Sequence, residues 1–267
     1  MRRSSWFAAA SCLAVVLAVA FLALPVLAIF VNADPGSLIA SLGDQQATDA
    51  LRLSLETTAI AVVVIVLVGT PAAFLLATRT FPGKSALVTV LELPLVLPPA
   101  VAGIGLLAAL GPQGILGGAL ADANVQLVVQ TAGVVVALVF VSSPFYLRQT
   151  QESFAAVDRS YLDASRTLGR GEGATFMRVA VPLALPGIIA GLALAWGRAL
   201  GEFGATLMFA GSFQGITQTA PLAIYAQFAT DFPAALALSA VLVIVAACLL
   251  LSVKLASSTA LRGVAAR

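Results

Sequence analysis

In the stretch WGRALGEFGAT, Arg198 and Glu202 stand four residues apart, one above the other on a helix face. The sequence around them is apolar, and a charge at membrane depth is costly and normally faces a bundle interior. Two readings of the pair stay open. The plainer is that the two groups neutralise each other or a neighbour; the other is that Arg198 supplies positive potential along a route for an anion. Thr206, one turn further on, joins them as a candidate pathway residue. Bond-making chemistry finds little to work with. The chain has no histidine, which removes histidine acid–base chemistry and histidine metal sites. No G-x-x-x-x-G-K-[ST] phosphate loop occurs. Glu56, Glu92 and Glu202 are too dispersed to argue a carboxylate pair. Cys12 and Cys248 both fall in apolar runs and read as small filler, neither disulfide nor metal ligand. No catalytic and no metal-binding residue is expected.

Two further patterns suggest a path through a membrane. LELPLVLPPAVAGIG carries Pro94, Pro98 and Pro99, and proline removes a backbone donor and kinks a helix. Such breaks are tolerated in lipid where protein or a water-filled cavity surrounds them. Pro98 and Pro99 are therefore candidate pathway residues. Gly187, Gly191, Gly197 and Gly201 form two small-x-x-x-small pairs, which allow close helix approach.

The stretch LDASRTLGRGEGATFMRVAVPLALP, residues 162–186, is different again. Tyr161–Leu168 is compatible with a short helix closed by Gly169 as a left-handed cap. GRGEG reads as a turn, and Ala174–Val179 as a second short helix stopped before Pro182. A merely solvated connection needs no ordered helices, and connections of this length are often functional. A helix held at the membrane surface between two spans is well placed to receive force from a partner.

The elements that position these residues follow from composition. The chain has 267 residues, 60% hydrophobic and 10% charged, against about a quarter charged in soluble domains. Six stretches reach the ~20 residues that cross a bilayer as a helix: Phe7–Val31, Leu53–Ala77, Ser85–Leu110, Val125–Leu147, Leu183–Ala210 and Pro233–Leu255. Runs such as AIAVVVIVLVG lack the alternation of barrel strands, so the fold class is all-α, a polytopic bundle of six transmembrane helices. The first run is too long for a signal-peptide core and reads as an uncleaved span. With six alternating spans, Arg2, Arg3, Arg79, Lys84, Arg148, Arg159, Arg166, Arg170, Arg178, Lys254, Arg262 and Arg267 share one side. The other side holds Arg52 with Asp34, Asp44, Asp49, Asp122 and Asp231. The basic side is the cytoplasmic one, which puts both termini there. The organisation expected is a first helix with an external loop over 1–52, a core over 53–255 including a cytoplasmic loop 148–182, and a short tail, 256–267, with no sizeable regulatory domain.

Asp163-Ala164-Ser165, Gly169 and Val179-Ala180-Val181-Pro182 together resemble the cytoplasmic signature of ABC-type importer permeases. That family usually has glutamate and a second alanine where this chain has Asp163 and Ser165, and leucine in place of Val181. LPLVLPP at 93–99, SSPFYLRQTQESFAAVD at 142–158, RALGEFGATLMFAGS at 198–212 and GITQTAPLAIY at 215–225 narrow the resemblance to oxyanion importers, and within them to molybdate/tungstate permeases. The resemblance implies a type I ABC importer permease fold in a bacterial or archaeal cell membrane. It implies that Asp163, Ala164, Ser165, Gly169 and Pro182 belong to a coupling element that docks on the ATPase. It also implies two copies of an ATP-binding subunit, which hold ATP and Mg, with no cofactor in this chain. A second permease copy, an extracytoplasmic oxyanion-binding protein docking near 32–52 and 212–232, and surrounding lipid complete the expected partners; no nucleic acid is expected. Sulfate or thiosulfate is the alternative substrate, and a secondary transporter driven by an ion gradient the alternative class. The latter leaves 162–186 unexplained and shows no clear internal repeat.

Overall fold

The structure, a computed structural model, describes residues 5–34, 36 and 43–265. Arg2, Arg3 and Arg267, on which part of the orientation rests, and most of the external loop at 35–42 lie outside the described residues. The described elements are α1 (Ser5–Asn32), α2 (Gln45–Thr78), α3 (Lys84–Val96), α4 (Pro99–Leu110), α5 (Gly117–Asp122), α6 (Thr131–Ala155), α7 (Arg159–Thr167), α8 (Glu172–Thr175), a π-helical turn (Phe176–Ala180), α9 (Val181–Leu200), α10 (Gly204–Ala210), α11 (Ala220–Phe228) and α12 (Phe232–Ala265). No strand occurs among the described residues.

Among the described residues, five helices are long and apolar enough to cross a membrane, and the α3–α4 pair makes a sixth if it crosses as one broken span. The centre is built by α2, α6 and α9, which pack on one another. Its buried positions are rich in small residues, among them Ala61, Ala73, Ala137, Ala184, Ala195 and Ala199. Apolar residues gain little by leaving lipid, so helices in a bilayer hold together by close backbone approach and van der Waals packing. Gly187 and Gly191 serve this: a Cβ on Gly187 would fall 2.3 Å from Ser153 Cβ, and one on Gly191 would fall 3.2 Å from the Tyr146 carbonyl. Gly197 and Gly201 do not; their nearest neighbours would be 3.8 Å away. Helix α1 packs against α12 and is otherwise exposed, its Phe21 and Leu22 turned outward.

Several expected boundaries shift. Span two begins at Gln45 rather than Leu53, because Asp44 caps it, Oδ2 accepting from the Ala47 N–H at 3.1 Å. Span four begins at Thr131, not Val125. Span three is two helices bent by 118°: Leu97, preceding Pro98, takes extended dihedrals, and Pro99 starts α4. Pro94 lies in the last turn of α3 without breaking it. Span five is also two helices, α9 and α10, interrupted at 201–203. Conversely, the second short helix does not stop before Pro182. The chain runs helically from Glu172 to Leu200, with the Val181 N–H bonded five residues back to the Phe176 carbonyl. Proline clashes with the carbonyl four residues behind it, and the widened π turn relieves that contact without ending the helix.

Candidate functional site

Two regions carry the sequence-predicted residues. The first is the block between α6 and α9. Asp158 starts α7, its Oδ1 accepting from the Ser160 N–H at 2.9 Å. That backbone bond holds the Asp158 carboxyl below the usual carboxylate range, which keeps the cap charged at the positive end of the helix. Helix α7 is amphipathic. Leu162 and Ser165, one turn apart, are buried, while Tyr161, Asp163, Ala164 and Arg166 are exposed. Gly169 closes the helix at φ 80°, donating to the Arg166 carbonyl at 2.9 Å while Arg170 donates to the Ser165 carbonyl at 3.2 Å. This is the paired-bond cap that a left-handed residue makes possible.

Ser165 faces inward, and its Oγ lies 2.9 Å from the buried Thr175 Oγ1. That hydroxyl pair joins α7 to α8, a contact with no sequence signal beyond the departure from alanine. Arg79, at the end of α2, pairs with Glu172 at the start of α8. Leu162 packs into the central cluster with Phe154, Ala180 and Ala184. Phe74, Phe154 and Phe176 form a ring triad beneath, with centroids 4.9–6.1 Å apart. The block is therefore tied rigidly to the ends of α2, α6 and α9. Of the residues expected to meet a partner, Asp163, Ala164 and Gly169 present an outward surface, joined by exposed Leu168 and Met177. Ser165 and Pro182 do not: the first braces the block from inside, and the second is half-buried within the continuing helix.

The second region lies where the two broken spans meet. Glu202 is 1% exposed. Its Oε1 accepts from the Ala205 N–H at 2.7 Å, capping α10, and its Oε2 lies 2.7 Å from Arg198 Nη1. Oε2 takes no hydrogen bond, so charge attraction is what Arg198 supplies there. The break at 201–203 thus has a cause the sequence hid: a buried carboxylate starts a new helix where no proline ends the old one. Pro99 adjoins it. A Cβ on Gly204 would come within 2.8 Å of Pro99 Cβ, and one on Gly103 within 2.7 Å of the Ala205 carbonyl, so α4 and α10 touch backbone to backbone. Thr206 is fully buried in α10, its hydroxyl without a hydrogen-bond partner. The structure thus brings Pro99, Arg198, Glu202 and Thr206 to adjoining elements. Two interrupted helices abut here, an arrangement that secondary transporters use to line substrate sites.

A profile of the family described as "Binding-protein-dependent transport system inner membrane component" matches residues 69–259. The "Molybdenum transport system permease protein ModB" of Mycobacterium tuberculosis (strain ATCC 25618 / H37Rv) is 43% identical over 235 residues, covering 88% of this chain and 89% of that protein. The "Sulfate transport system permease protein CysW" of Synechococcus elongatus (strain ATCC 33912 / PCC 7942 / FACHB-805) is 36% identical over 208 residues, 76% and 73% of the two chains. Among solved structures, a chain of a bacterial ABC transporter involved in the import of alginate superposes with a TM-score of 0.76 at 15% identity, covering 95% of this chain and 96% of that one. At that identity the likeness bears on the fold alone.

Proposed function

Since the chain belongs to the family of binding-protein-dependent transport system inner membrane components, the permeases of ABC-type importers, we propose that it forms the membrane path for molybdate or tungstate. It is a multi-pass inner-membrane transport subunit. The substrate assignment is supported by the higher identity and coverage of the molybdenum relative over the sulfate relative; sulfate is the second reading, since all three are tetrahedral dianions.

The observation that carries the mechanism is continuity. Asp163, Ala164 and Gly169 form the outer face of a block that is hydroxyl-bridged, ion-paired and ring-packed to the spans. Its second half runs without interruption into α9, which ends at the Arg198–Glu202 pair beside Pro99. In this reading the outer face docks on an ATP-binding subunit, one for each of two permease copies, and those subunits hold and hydrolyse ATP with Mg. The block and both termini are cytoplasmic. Closing of the ATPases moves the block, α9 transmits that movement as a rod, and the two breaks open or close the path. Arg198 offers the positive charge that an oxyanion meets there, and Thr206 an unspent hydroxyl. A substrate-loaded binding protein docks on the opposite face, near 212–232. The organisation proposed is the first helix with its external loop over 1–52, the core with the coupling loop over 53–255, and the cytoplasmic tail over 256–267.

The test is ATP turnover in liposomes holding this chain with its ATP-binding subunit. Molybdate-loaded binding protein is expected to stimulate turnover, and Gly169→Pro to abolish the stimulation, because proline cannot take the left-handed dihedral that closes α7. Turnover indifferent to Gly169→Pro rejects the block as the coupling element. Stimulation by sulfate-loaded protein alone rejects molybdate and keeps the family mechanism.

A further inference from the structure

The break at 201–203 is gripped on several sides. Glu202 turns inward to Arg198 and Ala205. Gly204 is pressed against Pro99. Within the break, the backbone of Phe203, at φ −131° and ψ −55°, leaves the helical range. Its half-buried ring lies 5.0 Å from the ring of Tyr225, the planes inclined at 56°, a spacing and tilt in the range of ordinary aromatic pairs.

Tyr225 belongs to α11, which is fastened to the frame on its other side. Ala223 packs with Ala47, Ala50 and Leu238 of α2 and α12. The Ala220 N–H donates to Ser54 Oγ at 2.7 Å, and Gln46 Nε2 donates to Gln218 Oε1 at 3.1 Å. At the far end of α11, Phe228 and Phe232 are exposed and ring-packed at 5.8 Å. Helix α11 thus has one surface on the frame, one end open, and one ring on the residue at which a span is broken.

We infer that the Phe203–Tyr225 ring pair is a positioning contact that carries docking of the loaded binding protein to the break between α9 and α10. The inference rests on the proposed function. Docking on the open end of α11 shifts the helix on its seat against α2 and α12. The shift reaches Tyr225 and rotates the Phe203 ring. Rotation of that side chain acts on a backbone position that is already non-helical, and so on the cap that Glu202 supplies two residues before Gly204. Docking and opening are then coupled through a contact that differs between the two states, as coupling requires.

The experiment uses the reconstituted complex with its binding protein loaded with molybdate, and with sulfate in parallel. Stimulated ATP turnover is titrated against loaded binding protein for wild type, Phe203→Ala, Tyr225→Ala, the double variant and Tyr225→Phe. Expected is a roughly fivefold loss of maximal stimulation in each alanine variant, the size of an ordinary ring pair. The half-saturating concentration moves less than about twofold, the double variant is no worse than either single one, and Tyr225→Phe retains wild-type stimulation. Additive losses in the double variant, or full maximal stimulation with only a weakened half-saturation, overturn the relay; the latter makes Tyr225 a docking contact. Unchanged stimulation in Tyr225→Ala overturns it too. If wild type responds to sulfate alone, the substrate assignment fails while the relay is judged on the sulfate titration.

Discussion

Arg198 and Glu202 are the one ion pair that the described structure buries, and its energetics separate the two readings left open by the sequence. Removing one member of a buried pair leaves an uncompensated charge and costs about 3–5 kcal/mol, whereas removing both can be nearly neutral. Glu202→Gln alone is therefore expected to lower the thermal stability and yield of the complex, because Arg198 loses its counter-charge. The double variant Arg198→Gln/Glu202→Gln is expected to recover most of that stability, since a glutamine carbonyl still caps the Ala205 N–H. Oxyanion uptake by the recovered double variant then decides. Uptake near wild type makes the pair structural; a stable complex that no longer transports places Arg198 on the anion's route, as proposed. The sequence displayed the pair through its i, i+4 spacing, but not the second bond of Glu202. That bond turns a helical pair into a helix break, and it depends on a backbone N–H three residues later that only a folded chain presents.

At the scale of elements, α7 and α8 act as one body because of two hydroxyls. Ser165→Ala leaves the buried Thr175 Oγ1 without its partner, and an unsatisfied buried hydroxyl costs about 1–3 kcal/mol. Amide exchange over 159–180 is expected to quicken in Ser165→Ala and to slow again when Thr175→Val removes the second hydroxyl as well. Equal exchange in wild type and Ser165→Ala would mean that the hydroxyl pair does not brace the block. What the sequence told about elements was uneven for physical reasons. The apolar runs, Gly169 and the double proline at 98–99 act locally, so span existence, the α7 cap and the first break could be read directly. Pro182 misled, because a proline near a helix start is compatible with a π turn as well as with a stop, and packing of Phe176 against Phe74 and Phe154 selects the turn. The start of α2 was missed since Asp44 caps a polar first turn that hydropathy does not see.

For the whole molecule, the question is whether the sharply bent α3–α4 pair completes a crossing or turns back. Contacts elsewhere answer it. Arg79, just after α2, pairs with Glu172, so the end of α2 and the block beyond α6 share one face. Thr131, at the start of α6, donates to the Ile216 carbonyl at 2.9 Å, and Gln218, two residues on from Ile216, meets Gln46 near the start of α2. The beginnings of α2 and α6 therefore share the opposite face. A chain that leaves α2 on one face and enters α6 on the other has crossed once between them, bend included. The number of crossings is then even if α1 and α12 span in full. Single cysteines in a background lacking Cys12 and Cys248 test this directly. Ile216→Cys is expected to react with a membrane-impermeant maleimide in intact cells, and Leu168→Cys, at an 83% exposed position, only after the membrane is opened. The reverse pattern would put 162–186 outside, away from any ATP-hydrolysing partner, and would remove the coupling mechanism. Reaction of both sites in intact cells would mean that α9 and α10 do not carry the chain across between residues 168 and 216.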